Sequence, residues 1–324
     1  MPNKINIHSY IVDKKSVRAE DLRIAFNLSR VSIHKILKKL ILEGKIQKDG
    51  YPPKVFYTPA DDVENITQDI KVEDKIKGYI DKNYLYISPD GQILDGFDGF
   101  TVWCNKTKQE VSKTALNYYQ RIKFYDKFKK DGLINGTEKL KKTFEKVGLN
   151  KLYYLDFYSI DRFGKTKLGQ MLLYAKQSQN IELIKKISNI AKPTINDLIK
   201  RLNITSIGYI PPTVKREVQF MKEIEKYLNL PLNKLTITKI KKRVSIPQKT
   251  LSKLEDRIEN AKKTIVVEGN NTFDNVLLID DAVGSGSTLN ETALQIKDKK
   301  ICKGKIYGLA IVGSFKGFDV ISEV

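Results

Sequence analysis

With 324 residues and 41% hydrophobic content, the chain exceeds one typical domain and can build packed cores, so two or three globular domains are expected. Lys and Arg number 58 against 38 Asp and Glu, and the formal net charge of +20 points either to polyanionic partners, nucleic acid or phosphorylated ligands, or to a solvated lysine-rich surface. Cys104 and Cys302 form no C-x-x-C or Cys/His cluster, which speaks against a disulfide framework and a structural zinc site; with no apolar run near the ~20 residues that span a bilayer, a cytoplasmic protein without membrane contact is expected.

Residues 1–60 read as a small domain of their own. Ile5, Ile7, Tyr10 and Ile11 suggest a first helix or short packed segment, and residues 17–26 a second helix. After the turn at Asn27-Leu28-Ser29, Ser29 can cap a third helix over 30–43 whose stripe is Ile33, Ile36, Leu37, Leu40 and Ile41. Gly44 ends it. Residues 45–51 and 54–57 then suggest a hairpin around Asp49-Gly50 and Pro52-Pro53. Three helices and a wing resemble the winged helix-turn-helix plan. That resemblance implies duplex DNA as partner, with Arg30, Ser32, His34, Lys35 and Lys38 of the third helix reading the groove and Lys48 and Lys54 on the wing. A protein-interaction or dimerisation module, and with it a homodimer, stays open beside this reading.

Residues 61–150 read as a linker followed by a mostly helical region. Residues 61–65 form an acidic break, a helical stretch follows to Ile80, and residues 84–87 suggest a strand. A glycine-aromatic segment over 96–104 holds the single tryptophan, Trp103. Residues 111–130 form a long helix with Tyr118, Tyr119, Ile122, Tyr125 and Phe128 at helical spacing. Such a stripe packs a core or, interleaved with lysine, stacks on single-stranded nucleic acid.

From residue 151 to 324 the pattern turns to alternating strand and helix: helices over 166–176, 181–190 and 215–228, strands at 206–210, 235–240, 265–267 and 306–312. The stretch Asn275-Val276-Leu277-Leu278-Ile279-Asp280-Asp281-Ala282-Val283-Gly284-Ser285-Gly286-Ser287-Thr288 is the most informative. A buried parallel strand runs into two carboxylates, a glycine-hydroxyl turn follows, and a helix begins. A P-loop would need a lysine before its Ser/Thr, and a dinucleotide fingerprint a third glycine where Leu289 stands, so both are excluded. An acid pair beside an anion-holding turn suits a sugar phosphate. The two histidines, His8 and His34, lie far away in sequence and support no Ser-His-Asp apparatus.

This stretch resembles the phosphoribosyl pyrophosphate (PRPP) loop of the type I phosphoribosyltransferases. The resemblance implies a parallel-sheet α/β domain in which Asp280 and Asp281 serve catalysis by addressing the ribose hydroxyls, directly or through Mg²⁺, while Gly284, Ser285, Gly286, Ser287 and Thr288 hold the 5′-phosphate. Lys215 and Arg216 after the proline-ended strand, and Lys242 and Arg243 in a basic segment over 239–263, would then meet pyrophosphate. Ile210-Pro211-Pro212, Pro247-Gln248, Leu251-Ser252, Arg257 and Asn260 are similar to the ComF branch of that family, whose zinc ribbon is absent here. Purine transferases place a carboxylate where Gly284 stands, which disfavours hypoxanthine or guanine as acceptor. Three functions follow from the resemblance: phosphoribosyl transfer, a PRPP- or nucleotide-responsive DNA-binding regulator without turnover, and a nucleic-acid handling accessory.

Overall fold

The computed structural model describes residues 4–51, 53–60, 71–214, 216–240, 246, 250–251, 253–269 and 271–315. The chain divides into two compact units, Met1–Ile70 and Lys71–Val324. Among the described residues, no helix is long and apolar enough to cross a membrane.

The first unit packs α1 (Lys4–Lys14), α2 (Ala19–Phe26) and α3 (Arg30–Leu42) against a hairpin of β1 (Ile46–Tyr51) and β2 (Lys54–Pro59). Ser29 caps α3 as its sequence suggests, its Oγ accepting from the Ser32 amide at 3.2 Å. Ile33, Leu37 and Leu40 join Ile7, Ile11, Val17, Leu22, Ile46 and Tyr57 in the core. The stripe is narrower than expected, for Ile41 is 38% exposed: it follows Leu40 by one residue and so turns off the packed face. The two expected strands of the hairpin are present, and Asp49-Gly50 is part of the first of them. Both residues lie inside β1, opposite Phe56 and Val55, and Tyr51 pairs with Lys54; Pro52 lies outside the described residues. Gly50, at φ 81°, is needed there because a Cβ would meet the Lys54 carbonyl oxygen at 2.3 Å.

The second unit opens with α4 (Asp74–Asn83), β3 (Leu85–Ile87), β4 (Ile93–Asp95), α5 (Gly96–Lys106) and α6 (Val111–Asp126). The glycine-aromatic segment is thus a helix, and its Phe100 packs against Tyr84, Trp103 and Tyr118. On α6, Tyr118, Ile122 and Tyr125 are buried. Then follow β5 (Lys129–Lys130), β6 (Leu133–Asn135), α7 (Thr137–Thr143), β7 (Lys151–Phe157), β8 (Ser159–Ile160), β9 (Gly164–Lys165), α8 (Lys167–Gln177), α9 (Ile181–Leu202), β10 (Ser206–Tyr209), α10 (Phe220–Leu228), β11 (Asn233–Lys239), α11 (Leu254–Thr264), β12 (Ile265–Glu268), β13 (Val276–Val283), α12 (Ser287–Asp298) and β14 (Ile306–Gly313).

Eight strands form one sheet in the order β12-β11-β10-β13-β14-β7-β6-β5. The five central strands are parallel, while β12, β6 and β5 pair antiparallel at the two edges. Three features depart from the sequence reading, which expects no strand where the central strand β7 lies. The end of the mostly helical middle region supplies β5 and β6, and β12 runs back along β11 rather than joining a parallel set. Strands this short near an edge, β6 sharing only two register pairs with each neighbour, need not carry the continuous apolar run of a central strand.

Helices cover both faces. Leu277, Ile279, Leu309 and Ile311 pack with Leu172, Ile184, Ile187, Leu198 and Ile224 of α8, α9 and α10 in one large cluster, while α11 and α12 pack against each other elsewhere. The α9 helix runs beyond Ile190 through Pro193 to Leu202, because Ala191, Ile195 and Leu198 continue its buried stripe past the proline. Sequence reasoning stops at such a residue, since an internal proline costs roughly 3 kcal/mol of helix stability; here packing outweighs it. Conversely α10 begins at Phe220, not at residue 215. Leu198→Ala, which empties a fully buried position in α9, is expected to cost about 2–5 kcal/mol, read as a lower denaturation midpoint at unchanged m-value.

Candidate functional site

The cleft originates in a mismatch of strand lengths. β10 and β13 are parallel neighbours from Ser206↔Val276 to Tyr209↔Ile279. The Ile210 amide still donates to the Ile279 carbonyl at 2.9 Å, but Pro211 and Pro212 have no amide to offer, and the ladder ends. β13 continues to Val283, held on its other side by β14 through Asp280↔Ala310 and Ala282↔Val312. The acid pair therefore lies within the strand rather than after it, on the stretch that has lost its β10 neighbour. The connection from β10 leads outward to β11, that from β13 the other way to β14, so this gap is the topological switch point where open α/β sheets place ligands.

A cleft of ≈ 220 Å³ occupies the gap, lined by Lys176, residues 210–214, Arg216, residues 218–221, Lys239, Arg257 and residues 280–289. Its floor is the strand–loop–helix of the acid stretch. Gly286 is the N-cap of α12 at φ 87°, a conformation that L side chains rarely adopt, and a Cβ there would also meet Leu140 Cδ1 at 2.9 Å. A glycine cap supplies no side-chain acceptor to the first amides of the helix. Ser285 Oγ and Ser287 Oγ are hydrogen-bonded to each other at 2.8 Å, and Ser287 N–H points to Ser285 Oγ at 3.4 Å. Helix-start amides, hydroxyls and the positive end of the α12 dipole together favour an anion.

Charge in the cleft is arranged around Asp281. Alternation along β13 puts Asp281 on the face of Leu277 and Ile279, the face that α8 covers. From the last turn of α8, Lys176 Nζ reaches Asp281 Oδ2 at 2.5 Å, both side chains being only 19% exposed. The Lys176 carbonyl accepts from Arg216 Nη1, and Gln179 Oε1 accepts from the Val218 amide at 2.8 Å, so the loop after β10 is tied to the end of α8. Lys239, ending β11, donates to Thr213 Oγ1 at 2.7 Å. Burial lowers its ammonium pKa, and the charges of Asp280 and Asp281 act in the opposite direction. Burial, with the charge of Asp281 next, pushes the Asp280 carboxyl well above the ordinary range; an accepted hydrogen bond from the Asp281 amide at 2.8 Å opposes this. Arg257 of α11 is buried, its Nε donating to the Leu251 carbonyl at 2.7 Å, and burial lowers its pKa.

The structure thus gathers Asp280, Asp281, Gly284, Ser285, Gly286, Ser287, Thr288 and Arg216 around one cleft. Lys215, Lys242 and Arg243 lie outside the described residues, as do residues 241, 244–245, 247–249 and 252 of the basic segment; its last part is the helix α11 rather than a loop. Arg216 precedes α10 by four residues, so this cation, expected at a helix start, sits in a loop instead. Sequence reasoning missed Lys176, which is 105 residues from its partner and carries no local signal beyond ending a helix. Among the described residues no group of three or more His, Cys, Asp or Glu could hold a metal, and Asp281 already faces an ammonium group. A protein-held divalent ion does not fit these donors. In the first unit, Arg30, His34, Lys35 and Lys38 are exposed on α3, while Ser32 is half-buried with its Oγ 2.9 Å from Ser29 Oγ.

No protein-family model matches the sequence, and no curated protein matches it. Among solved structures, the chain is similar to an adenine phosphoribosyltransferase from Leishmania tarentolae at 13% identity and a TM-score of 0.24, over 44% of this chain and 87% of that one. At that score the similarity adds nothing to what strand order and cleft establish. The cleft geometry itself can be probed: Gly286→Ala is expected to destabilise the protein by about 1–3 kcal/mol, checked by thermal unfolding, because it forces a side chain into left-handed backbone against Leu140.

Proposed function

We propose that the second unit binds a 5-phosphoribosyl ligand, PRPP or a nucleotide, at the end of β13, and that its chemistry is transfer of the phosphoribosyl group with release of pyrophosphate. The observation that carries this reading is the single strand–loop–helix that puts two carboxylates and a glycine-serine turn into one cleft at the sheet's switch point. The 5′-phosphate sits on residues 284–288 at the start of α12, where amides and helix dipole meet a dianion. The ribose 2′ and 3′ hydroxyls donate to Asp280 and Asp281. Arg216, with Arg257 lining the same cleft, meets the diphosphate.

Little covalent chemistry is asked of the side chains. As the bond from ribose to diphosphate lengthens, positive charge grows on the sugar and negative charge on the departing oxygens; arginine donors fixed in the cleft stabilise the latter, and the carboxylates hold the ribose in place. No carboxylate stands at Gly284, so a purine that needs a proton removed there is a poor acceptor.

A second reading joins the two units. The exposed Arg30, His34, Lys35 and Lys38 on α3 suit duplex DNA, in which case ligand occupancy of the cleft is reported to the DNA instead of being turned over. The ComF-like and winged-helix assignments belong to this proposal, as does the use of the cleft by a nucleic-acid accessory.

Titration calorimetry with PRPP is expected to show binding that weakens about 10- to 100-fold in Asp280→Ala with Asp281→Ala, the loss of charged hydrogen bonds to the ribose; unchanged affinity removes the ligand reading. Pyrophosphate release across a panel of bases supports transfer, whereas a PRPP-dependent change of duplex DNA affinity without release supports the regulator. Lys35→Ala with Lys38→Ala in the full chain should flatten the salt dependence of duplex binding by about two charges, read by fluorescence anisotropy between low and physiological salt.

A further inference from the structure

The acid pair does not stand as bare negative charge. Lys176 Nζ lies 2.5 Å from Asp281 Oδ2, and both side chains are mostly withdrawn from water, so salt screens the pair little. Lys239 lines the same cleft from the opposite side of the gap, fixed by its bond to Thr213 and acted on by the charges of both aspartates. Two lysine side chains therefore face the two aspartates. A divalent cation seated against Asp281 would have to displace Lys176 and then stand close to two positive charges, with no third carboxylate, histidine or cysteine among the described residues to hold it.

We propose that Lys176 and Lys239 take the place of a divalent cation beside Asp280 and Asp281, so that this cleft binds its phosphoribosyl ligand without needing Mg²⁺. The inference rests on the ligand reading above. The two lysines come from different elements, the last turn of α8 and the end of β11, and each is anchored. The Lys176 carbonyl accepts from Arg216, while Lys239 Nζ donates to Thr213. With the ammonium groups held in place, Asp281 keeps an oriented carboxylate with oxygen positions left for ribose hydroxyls, and the lysines offer further donors. Lys176 thus acts on the ligand by positioning Asp281. Because its own carbonyl binds Arg216, the same residue also links the ribose end of the cleft to the loop proposed to meet the diphosphate.

The test is calorimetric titration of the full chain with ribose 5-phosphate, a probe that carries no diphosphate to chelate metal, in EDTA and in excess Mg²⁺. Wild type is expected to bind with affinities within about threefold of each other in the two buffers, since the protein supplies the neutralising charge itself. Lys176→Met is expected to bind about tenfold or more weakly in EDTA and to recover when Mg²⁺ is added, while Lys176→Arg, which keeps the charge, stays independent of metal. Mn²⁺ titration read by electron paramagnetic resonance gives a signal that does not depend on ligand: no tight Mn²⁺ on wild type, and uptake by Lys176→Met with Lys239→Met once the carboxylates are bared. Ribose 5-phosphate binding by wild type only in Mg²⁺, or tight Mn²⁺ on wild type, overturns the inference and leaves the ligand reading standing. Absence of binding in both buffers, with thermal unfolding showing a folded chain, overturns the ligand reading and this inference with it.

Discussion

Everything distinctive about the second unit depends on where one hydrogen-bonded ladder stops. β10 gives its last amide to Ile279 from Ile210, and two prolines then withhold the donors that would carry it further. β13 does not stop with it. Because β14 continues alongside, the backbone from Asp280 to Val283 stays extended and satisfied on one side while the other side opens into a cleft. A sheet that ended flush would expose the two aspartates at a rim; the stagger lowers them into a walled gap. The strand order adds the second condition, since connections leave this pair of strands in opposite directions and keep the gap uncovered.

Depth has an electrostatic consequence. A pair of adjacent carboxylates taken out of water raises its own protonation unless opposite charge comes with it. The fold brings that charge from two directions, α8 through Lys176 and β11 through Lys239, and it ties both lysines to the loop after β10. The cleft is therefore one network in which the acid pair, its counter-charges and the arginine-bearing loop share bonds. Positioning by such a network suits chemistry in which the protein places charge and contributes few atoms to the reaction.

Much of this was legible in the residues. Capping by Ser29, the buried run Val276 to Ile279, the turn residues through Thr288 and the helix that follows all obey local rules of capping, apolar pattern and glycine usage, and each takes the form those rules suggest. The departures occur where local rules compete with packing. Pro193 sits inside α9 because Ala191, Ile195 and Leu198 bury past it. Asp49-Gly50 has the composition of a turn yet pairs within β1, opposite Phe56 and Val55. β5 and β6 are too short to announce themselves, and their membership of the large sheet is decided by pairing of β6 with β7, while the expected strand at 265–267 gives no local sign that it runs antiparallel to β11.

The sequence by itself determined the material of the site: an apolar strand, two acids, and a glycine-hydroxyl turn into a helix, whose order follows from covalent adjacency. Tertiary structure alone decided what surrounds it. Lys176 meets Asp281 across 105 residues, a proximity set by α8 crossing the face on which strand alternation places Asp281. No local pattern encodes such a pairing, because it depends on how helices pack over a sheet, and that same packing places the acid pair in a cleft that carries its own opposite charge.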